Sequence, residues 1–338
     1  MTQDTIGRRR IGIIGAGLIG IKRTIAFDML GCNIVAVFDP DVGRSKALAE
    51  RPCRNGAPEV KNDLTSLFET VGSGGIVVVA TPHAHLSASA RSAINEGLHV
   101  LLEKPGSVAS RDLEELNELA IGNKCTVHVG YNHRFHPGIR ALRDAVMGRE
   151  YGKVLSIRGV YGHGGRIGYQ DEWRFQRQIS GGGELLDQGS HLIDLAQFIT
   201  GDRLDYQFSK MSNLYWGGEV EDNAFVSLIG RELRFEAWLH ASWTEWKNRF
   251  LLEVFCERAK LEVSGLGGSY GSETFRIYEM GEELGPPKIM SVEYPPGDTS
   301  WDSECRDLLT AIDEGVSYGA TLEDAVAVLR IVERAYTN

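Results

Sequence analysis

Cysteine is scarce in this chain, and its five residues, Cys32, Cys53, Cys125, Cys256 and Cys305, are odd in number and form no CxxC pair. Neither a disulfide framework nor a thiolate zinc site is therefore suggested, and a reducing cytoplasm fits. Long apolar runs are missing too: no segment reaches the roughly 18 apolar residues of a membrane span. One stretch imitates an export signal, with Arg8, Arg9 and Arg10 ahead of IGIIGAGLIGI. It lacks a small-residue cleavage site and runs into Lys22 and Arg23, so it reads as a strand and a turn. Positive charge is short as well, 36 Lys and Arg against 46 Asp and Glu for a net charge of -10, with no basic cluster after the first ten residues. That balance argues against nucleic acid or an anionic membrane as the main partner and favours a small molecule. Repeats and low-complexity tracts are absent.

The 338 residues suffice for two domains, and 42% apolar with 24% charged residues is an ordinary globular composition. Near the start an apolar run ends in GAGLIG and a helical stretch follows from Leu18 to Leu30. Gly15, Gly17 and Gly20 stand at GxGxxG spacing. That arrangement allows a tight turn, close approach of backbone to a pyrophosphate, and tight helix-on-strand packing, with Leu18 and Ile19 beside the phosphates. NIVAVFDP then closes a second strand on Asp39, where a carboxylate can accept from both adenosine ribose hydroxyls, which favours NAD; nearby Arg44 leaves NADP open. Helices near Leu64 to Val71, Ser87 to Glu96 and Ser110 to Ile121 alternate with apolar runs at 75–82, 99–105 and 126–131. Such alternation predicts a parallel sheet covered on both faces, with ligand at the carboxyl ends of its strands. Thr81, Pro82, Glu103, Lys104, Pro105 and Asn132 stand at those ends, and a lysine bracketed by Glu103 and a proline reads as fixed and functional.

Further along, GGGELLDQGSHLID at 181–194 places Asp187 and His191 four residues apart, one helical turn, with Asp194 three beyond. Three leading glycines suggest a sharp turn and bare backbone at a ligand, and Gly189 inside the helix suggests close approach. The polar face suits catalysis, a metal ion held by Asp187, His191 and Asp194, or a structural pair; those alternatives stay open on spacing alone.

Taken together in this order, GAGLIG, EKP and GGGELLDQGSHLID make the sequence resemble the Gfo/Idh/MocA family over nearly its whole length, EKP and DxGxH being its more specific motifs. The resemblance implies an α/β Rossmann domain, 1–131, and an α+β domain with an open, mostly antiparallel sheet, 132–338. It implies NAD(P)-dependent oxidation or reduction of a secondary alcohol of a sugar, sugar nucleotide or cyclitol, with Lys104, Asp187 and His191 as the catalytic residues. Taking hydride from a carbinol carbon requires loss of the hydroxyl proton, which an imidazole of pKa about 6.5 accepts near neutrality. His191 is the expected base, Asp187 the orienting group, and Lys104 the donor to the reacting oxygen. Trp173 and Arg174 match a family WR near the nicotinamide end of the cofactor. Arg134, Tyr161, His163 and Arg166 flank the expected cleft as substrate-binding candidates. Relatives commonly carry histidine five residues after the threonine of the TP turn; here Leu86 stands there and His85 one earlier, so His85 is the cofactor-side candidate.

From Lys153 the pattern changes to strands, VLSIRGVYG, AFVSLIG, LRFEAWLHASW, FLLEVFCE and AKLEVSG, before helices near 301–314 and 322–336. Over 233–243 an apolar face alternates with a mixed one bearing Trp238 and His240, suited to a homo-oligomer, dimer or tetramer. Two other readings remain: transient oxidation by held NAD that enables glycoside cleavage or isomerisation, and a non-catalytic dinucleotide-binding regulator. Retention of Lys104, Asp187 and His191 speaks against the latter.

Overall fold

A computed structural model describes residues 9–337; Arg8, part of the arginine run, lies outside them. The chain divides into two compact units, one running up to Asn132 and including Ser300–Val326, the other His133–Thr299 with the residues from Ala327 on. The single cut expected at 131/132 thus differs from the structure in the return of Ser300–Val326 to the first unit.

In the first unit the described residues form a six-stranded sheet of order β3-β2-β1-β4-β5-β6. Its strands are β1 (Arg10–Ile14), β2 (Asn33–Phe38), β3 (Glu59–Val60), β4 (Ile76–Val79), β5 (His99–Leu102) and β6 (Val127–Val129). All pairings are parallel. Helices α1 (Leu18–Met29), α2 (Val42–Ala49), α3 (Leu64–Val71), α4 (Leu86–Asn95) and α5 (Ser110–Asn123) connect them. Burial on both faces requires the near-continuous apolar strands: every residue of β4 is fully buried. Helix starts follow local chemistry, Asp41 accepting from Gly43 and Arg44 ahead of α2, and Asp63 from Ser66 ahead of α3. The strand order reverses between β1 and β4, so the ligand crevice lies outside their carboxyl ends.

The second unit carries an eight-stranded sheet of order β14-β13-β12-β11-β7-β10-β9-β8. These are β7 (Val154–Gly162), β8 (Leu204–Ser212), β9 (Asn223–Gly230), β10 (Glu236–Ser242), β11 (Arg249–Cys256), β12 (Ala259–Ser264), β13 (Thr274–Glu279) and β14 (Lys288–Glu293). Its named pairs are antiparallel except β7 with β10. Helices α6 (Pro137–Met147) and α7 (Ser190–Thr200) pack together, and α7 lies against β7 and β10. Close seating comes from Gly159 of β7, where an added Cβ would stand 3.2 Å from Leu192. Along β10 Ala237, Leu239 and Ala241 point inward while Trp238 is 52% exposed and His240 stacks on Phe225 at 4.0 Å. The strand begins three residues later than its sequence pattern suggests, because Asp202 accepts the backbone N–H groups of Glu232 and Leu233 and holds them in a turn. Helices α8 (Ser300–Glu314) and α9 (Leu322–Thr337) close the chain. Among the described residues no helix is long and apolar enough to cross a membrane.

Candidate active site

The glycine loop of the first unit shows three different needs. Gly15 has φ +94°, and a Cβ there would meet the carbonyl oxygen of Ala80 at 2.4 Å. At Gly20 a Cβ would stand 1.9 Å from the carbonyl oxygen of Gly15, so the helix could not seat on the loop. Gly17 faces open space and begins α1 with no side-chain cap, which leaves its first N–H groups facing that space beside Leu18 and Ile19. The start of α1 thus has room for an anionic group. Asp39 is held at it: its carboxylate accepts from the backbone N–H of Ala16 at 2.8 Å and of Asp41 at 2.9 Å. Asp41, not Asp39, caps α2, and it also pairs with Arg44 at 3.4 Å.

Thr81 and Pro82 follow β4 and lead into a short turn, His83–His85. His85 is exposed and Leu86 fully buried, so the position where relatives carry histidine starts α4 as a core residue. After β5 come Glu103, half-buried Lys104 and Pro105, with a cis Lys104–Pro105 peptide. Beneath them Arg23 of α1 is fully buried between two carboxylates, Nε to Glu103 at 2.6 Å and Nη1 to Glu304 at 2.5 Å, and lies over the Trp301 ring at 4.5 Å. Burial opposes the Arg23 charge, but Glu103 and Glu304 outweigh it and raise the guanidinium above its ordinary value. Burial pushes Glu304 up to about 7, with Arg23 pulling the other way. Asn132 donates its side-chain amide to Ser300 at 2.7 Å.

In the second unit GGGELLDQGSHLID forms a π-helical turn, Leu185–Gly189, that feeds α7. Asp187 and His191 therefore differ from the plain α-turn pair of the sequence reading, a wider turn separating them. The glycines also differ from expectation. Gly181 makes the turn, at φ +79°, but a Cβ on Gly182 would stand 2.3 Å from Tyr336 Oη and one on Gly183 2.0 Å from the carbonyl oxygen of Glu221. Gly189 lies against Leu185 and Ala241. Close packing within this unit, against side chains at Gly182 and Gly189 and against backbone at Gly183, already requires the last three.

His191 is 5% exposed and stacks on His133 with centroids 4.0 Å apart and planes 17° apart. His133 Nε2 bonds the Tyr161 hydroxyl at 2.9 Å. Tyr161 packs against Phe250 and Tyr270, and Gln188 of the π turn donates to Tyr270 at 3.1 Å. Burial raises Tyr161 well above the usual phenol range and pushes Tyr270 up to about 12, so both are neutral hydroxyls. Asp187 stands 3.6 Å from Arg174 Nε, and Arg174 also bonds Glu172 at 3.0 Å and lies over Trp173 at 4.8 Å. Burial opposes the Arg174 charge, while Asp187 leads the groups that raise it.

The remaining sequence candidates divide. Arg134 is buried and forks onto Asp194, at 2.9 Å from Nε and 2.5 Å from Nη2. It is thus a structural partner of α7 and corrects the expectation of a substrate ligand. Asp194 being so engaged, the cation set of Asp187, His191 and Asp194 is not assembled, and no group of three metal-ligating side chains occurs among the described residues. His163 accepts the Gly165 N–H at 2.9 Å, and exposed Arg166 pairs with Glu172. Near Tyr270 opens a recess of about 420 Å³ lined by Glu245, Lys247, Asn248, Arg249, Phe250 and Ser264 among others. His133, Gln188, Tyr270 and the Arg23–Glu304 pair escape sequence reasoning: their only signal is polarity inside apolar surroundings, and their partners are distant in the chain.

Residues 9–131 match the profile described as oxidoreductase family, NAD-binding Rossmann fold, and residues 139–262 match the GFO/IDH/MocA C-terminal domain. A levoglucosan dehydrogenase of Pseudarthrobacter phenanthrenivorans is 27% identical over 214 residues, 57% of this chain and 51% of that protein. The chain thus spans about half the length of that relative. A 2,7-anhydro-N-acetylneuraminate hydratase of Mediterraneibacter gnavus is 26% identical over 286 residues, 80% of this chain and 73% of that protein. Among solved structures, an oxidoreductase domain protein from Kribbella flavida superposes with TM-score 0.85 at 22% identity over 98% of this chain and 97% of that one, a likeness of fold.

Proposed function

Because the chain belongs to the Gfo/Idh/MocA oxidoreductase family, with its NAD-binding Rossmann domain, we propose that it transfers a hydride to or from a secondary alcohol or ketone of a sugar, sugar nucleotide or cyclitol. One observation carries this reading: a glycine cradle and an anchored Asp39 in the unit that also holds Lys104, in a chain whose other unit presents Asp187 and nearly buried His191 on one turn and helix. Bound at the cradle, NAD supplies the hydride acceptor or donor. Gly15, Gly17, Leu18, Ile19 and Gly20 hold the pyrophosphate and Asp39 the adenosine ribose, which favours NAD over NADP. Thr81, Pro82, His85, Glu103, Pro105 and Asn132, with Trp173 and Arg174, complete the cofactor side.

On the substrate, His191 takes the hydroxyl proton in oxidation and returns it in reduction. Lys104 donates to the same oxygen and stabilises the negative charge that develops there. Asp187, its charge balanced by Arg174, orients the hydroxyls, and Tyr161, His163 and Arg166 contribute further contacts. The polar recess near Tyr270 supports a polyhydroxylated ligand. We further place the protein in the cytoplasm, in keeping with five free cysteines, as a homo-oligomer joined through the sheet face bearing Trp238.

Steady NADH formation over a panel of levoglucosan, inositols, glucosides and sugar nucleotides tests the reading. Lys104→Met abolishes turnover and leaves NAD binding within about threefold of wild type; equal turnover by the variant removes the lysine from the mechanism. The hydratase relative, matched over 80% of this chain, favours one second reading, transient oxidation without net redox change. That chemistry forms product while NADH does not accumulate.

A further inference from the structure

Four side chains outside the proposed catalytic set form a closed belt around the base. It starts at Gln188 on the π turn, whose side-chain amide donates to Tyr270 at 3.1 Å. Tyr270 meets Tyr161 with ring centroids 5.3 Å apart, the Tyr161 hydroxyl bonds His133 Nε2 at 2.9 Å, and His133 stacks on His191 at 4.0 Å. Gln188 and His191 lie on one continuous stretch of helix, so the belt leaves that stretch beside Asp187 and returns to it at the imidazole. Its two central members, Tyr161 and His133, are held from outside. Phe250 meets both Tyr161 and His133 edge-on, and His136, itself bonded to Glu273 at 3.0 Å, packs edge-on against His133.

An imidazole has two soft torsions, and a base works only while one ring nitrogen points along the proton's path. Stacking at 4.0 Å and 17° leaves the His191 ring one plane to occupy. The Tyr161 hydroxyl fixes His133, and hence that plane. We propose that His133 is a positioning residue for His191, setting the orientation of the imidazole through the stack while Tyr161 and Tyr270 tie it to the π turn that carries Asp187. His133 touches neither substrate nor cofactor in this account, which rests on His191 being the base.

The test uses the full chain with Tyr161→Phe, His133→Phe and His133→Ala, followed in two ways. With a sugar turned over by wild type, His133→Ala lowers kcat by about 100-fold and leaves KM within about twofold, the signature of a misplaced group and not of weaker binding. His133→Phe, which keeps a stacked ring, lowers kcat by about tenfold; Tyr161→Phe, which removes a hydroxyl that also contacts substrate, is read by the His191 signal and not by kcat. Independently of activity, nitrogen-15 NMR of the histidine side chains reads the His191 tautomer. One set of His191 ring-nitrogen signals in wild type gives way to an averaged set in His133→Ala, and in Tyr161→Phe should the alanine variant not fold. Folded variants with wild-type kcat and an unchanged His191 signal overturn the inference. If wild type turns over no sugar, the functional reading fails, and the NMR signal alone decides whether His133 orients the ring.

Discussion

Replacing Arg23 with methionine tests how the first unit supports the Glu103–Lys104–Pro105 turn. The guanidinium is fully buried, bonded to Glu103 at 2.6 Å and to Glu304 at 2.5 Å, and Glu304 is itself fully buried. Methionine fills much of the stem's volume but leaves two carboxylates facing apolar surroundings. Breaking a buried pair by removing one partner costs about 3–5 kcal/mol, and here two acids lose the same partner. The cost depends on pH. Burial has already raised Glu304 from 4.5 to about 7 against the pull of Arg23. For an acid so raised, the stabilising contribution is fully present below the unfolded value and is lost as pH rises through the folded one. Removing Arg23 raises the folded value further, so the deficit of the variant is larger near pH 8 than near pH 5, where Glu304 is protonated. Urea denaturation at both pH values measures it. A variant within about 1 kcal/mol of wild type at the higher pH, or one whose deficit grows on acidification, refutes the charge balance inferred for this cluster.

Three other outcomes follow from the same structure. Gly20→Ala brings a methyl group to within 1.9 Å of the Gly15 carbonyl oxygen; the loop must move, and NAD affinity by calorimetry falls at least about tenfold. Asp39→Ala removes the acceptor of the Ala16 N–H and weakens NAD more than NADP, narrowing their ratio of Kd values; an unchanged ratio removes Asp39 from cofactor choice. Trp238→Glu puts a charge on the outward face of β10 and shifts the sedimentation coefficient toward monomer; an unaltered assembly points to another interface.

The Rossmann half is legible in the sequence because its signals are local. Strands buried on both faces must be apolar throughout, the three glycines stand at fixed spacing, and the expected helix at Leu64 to Val71 has the observed bounds. Strands β8 and β14 escape because they are the sheet edges, β14 exposed along its full length, and β13 beside β14 is part-buried without alternation, so no period marks them. For α6 a signal exists and goes unread: Pro137 at its start and Ile139, Leu142 and Val146 at helical spacing. The return of Ser300–Val326 is a choice of tertiary partner, made by Cys305, Leu308 and Leu309 entering the first unit's core and by Glu304 reaching Arg23, that no local pattern announces. Arg134 shows the same limit, since its place in the sequence suits a ligand-binding arginine as well as a partner for Asp194, and only packing decides. The π turn is likewise invisible in a spacing that reads as one α-helical turn.

Isotope transfer tests the central claim most directly. A substrate found on the sugar and cyclitol panel, carrying deuterium at the carbinol carbon, is incubated with wild-type protein and NAD, and the cofactor is examined by mass spectrometry. Deuterium on the reduced cofactor, formed by wild type and missing with His191→Asn or Lys104→Met, is the predicted result. Sugar consumed with no label passing to the cofactor, or label passing equally well in both variants, contradicts it.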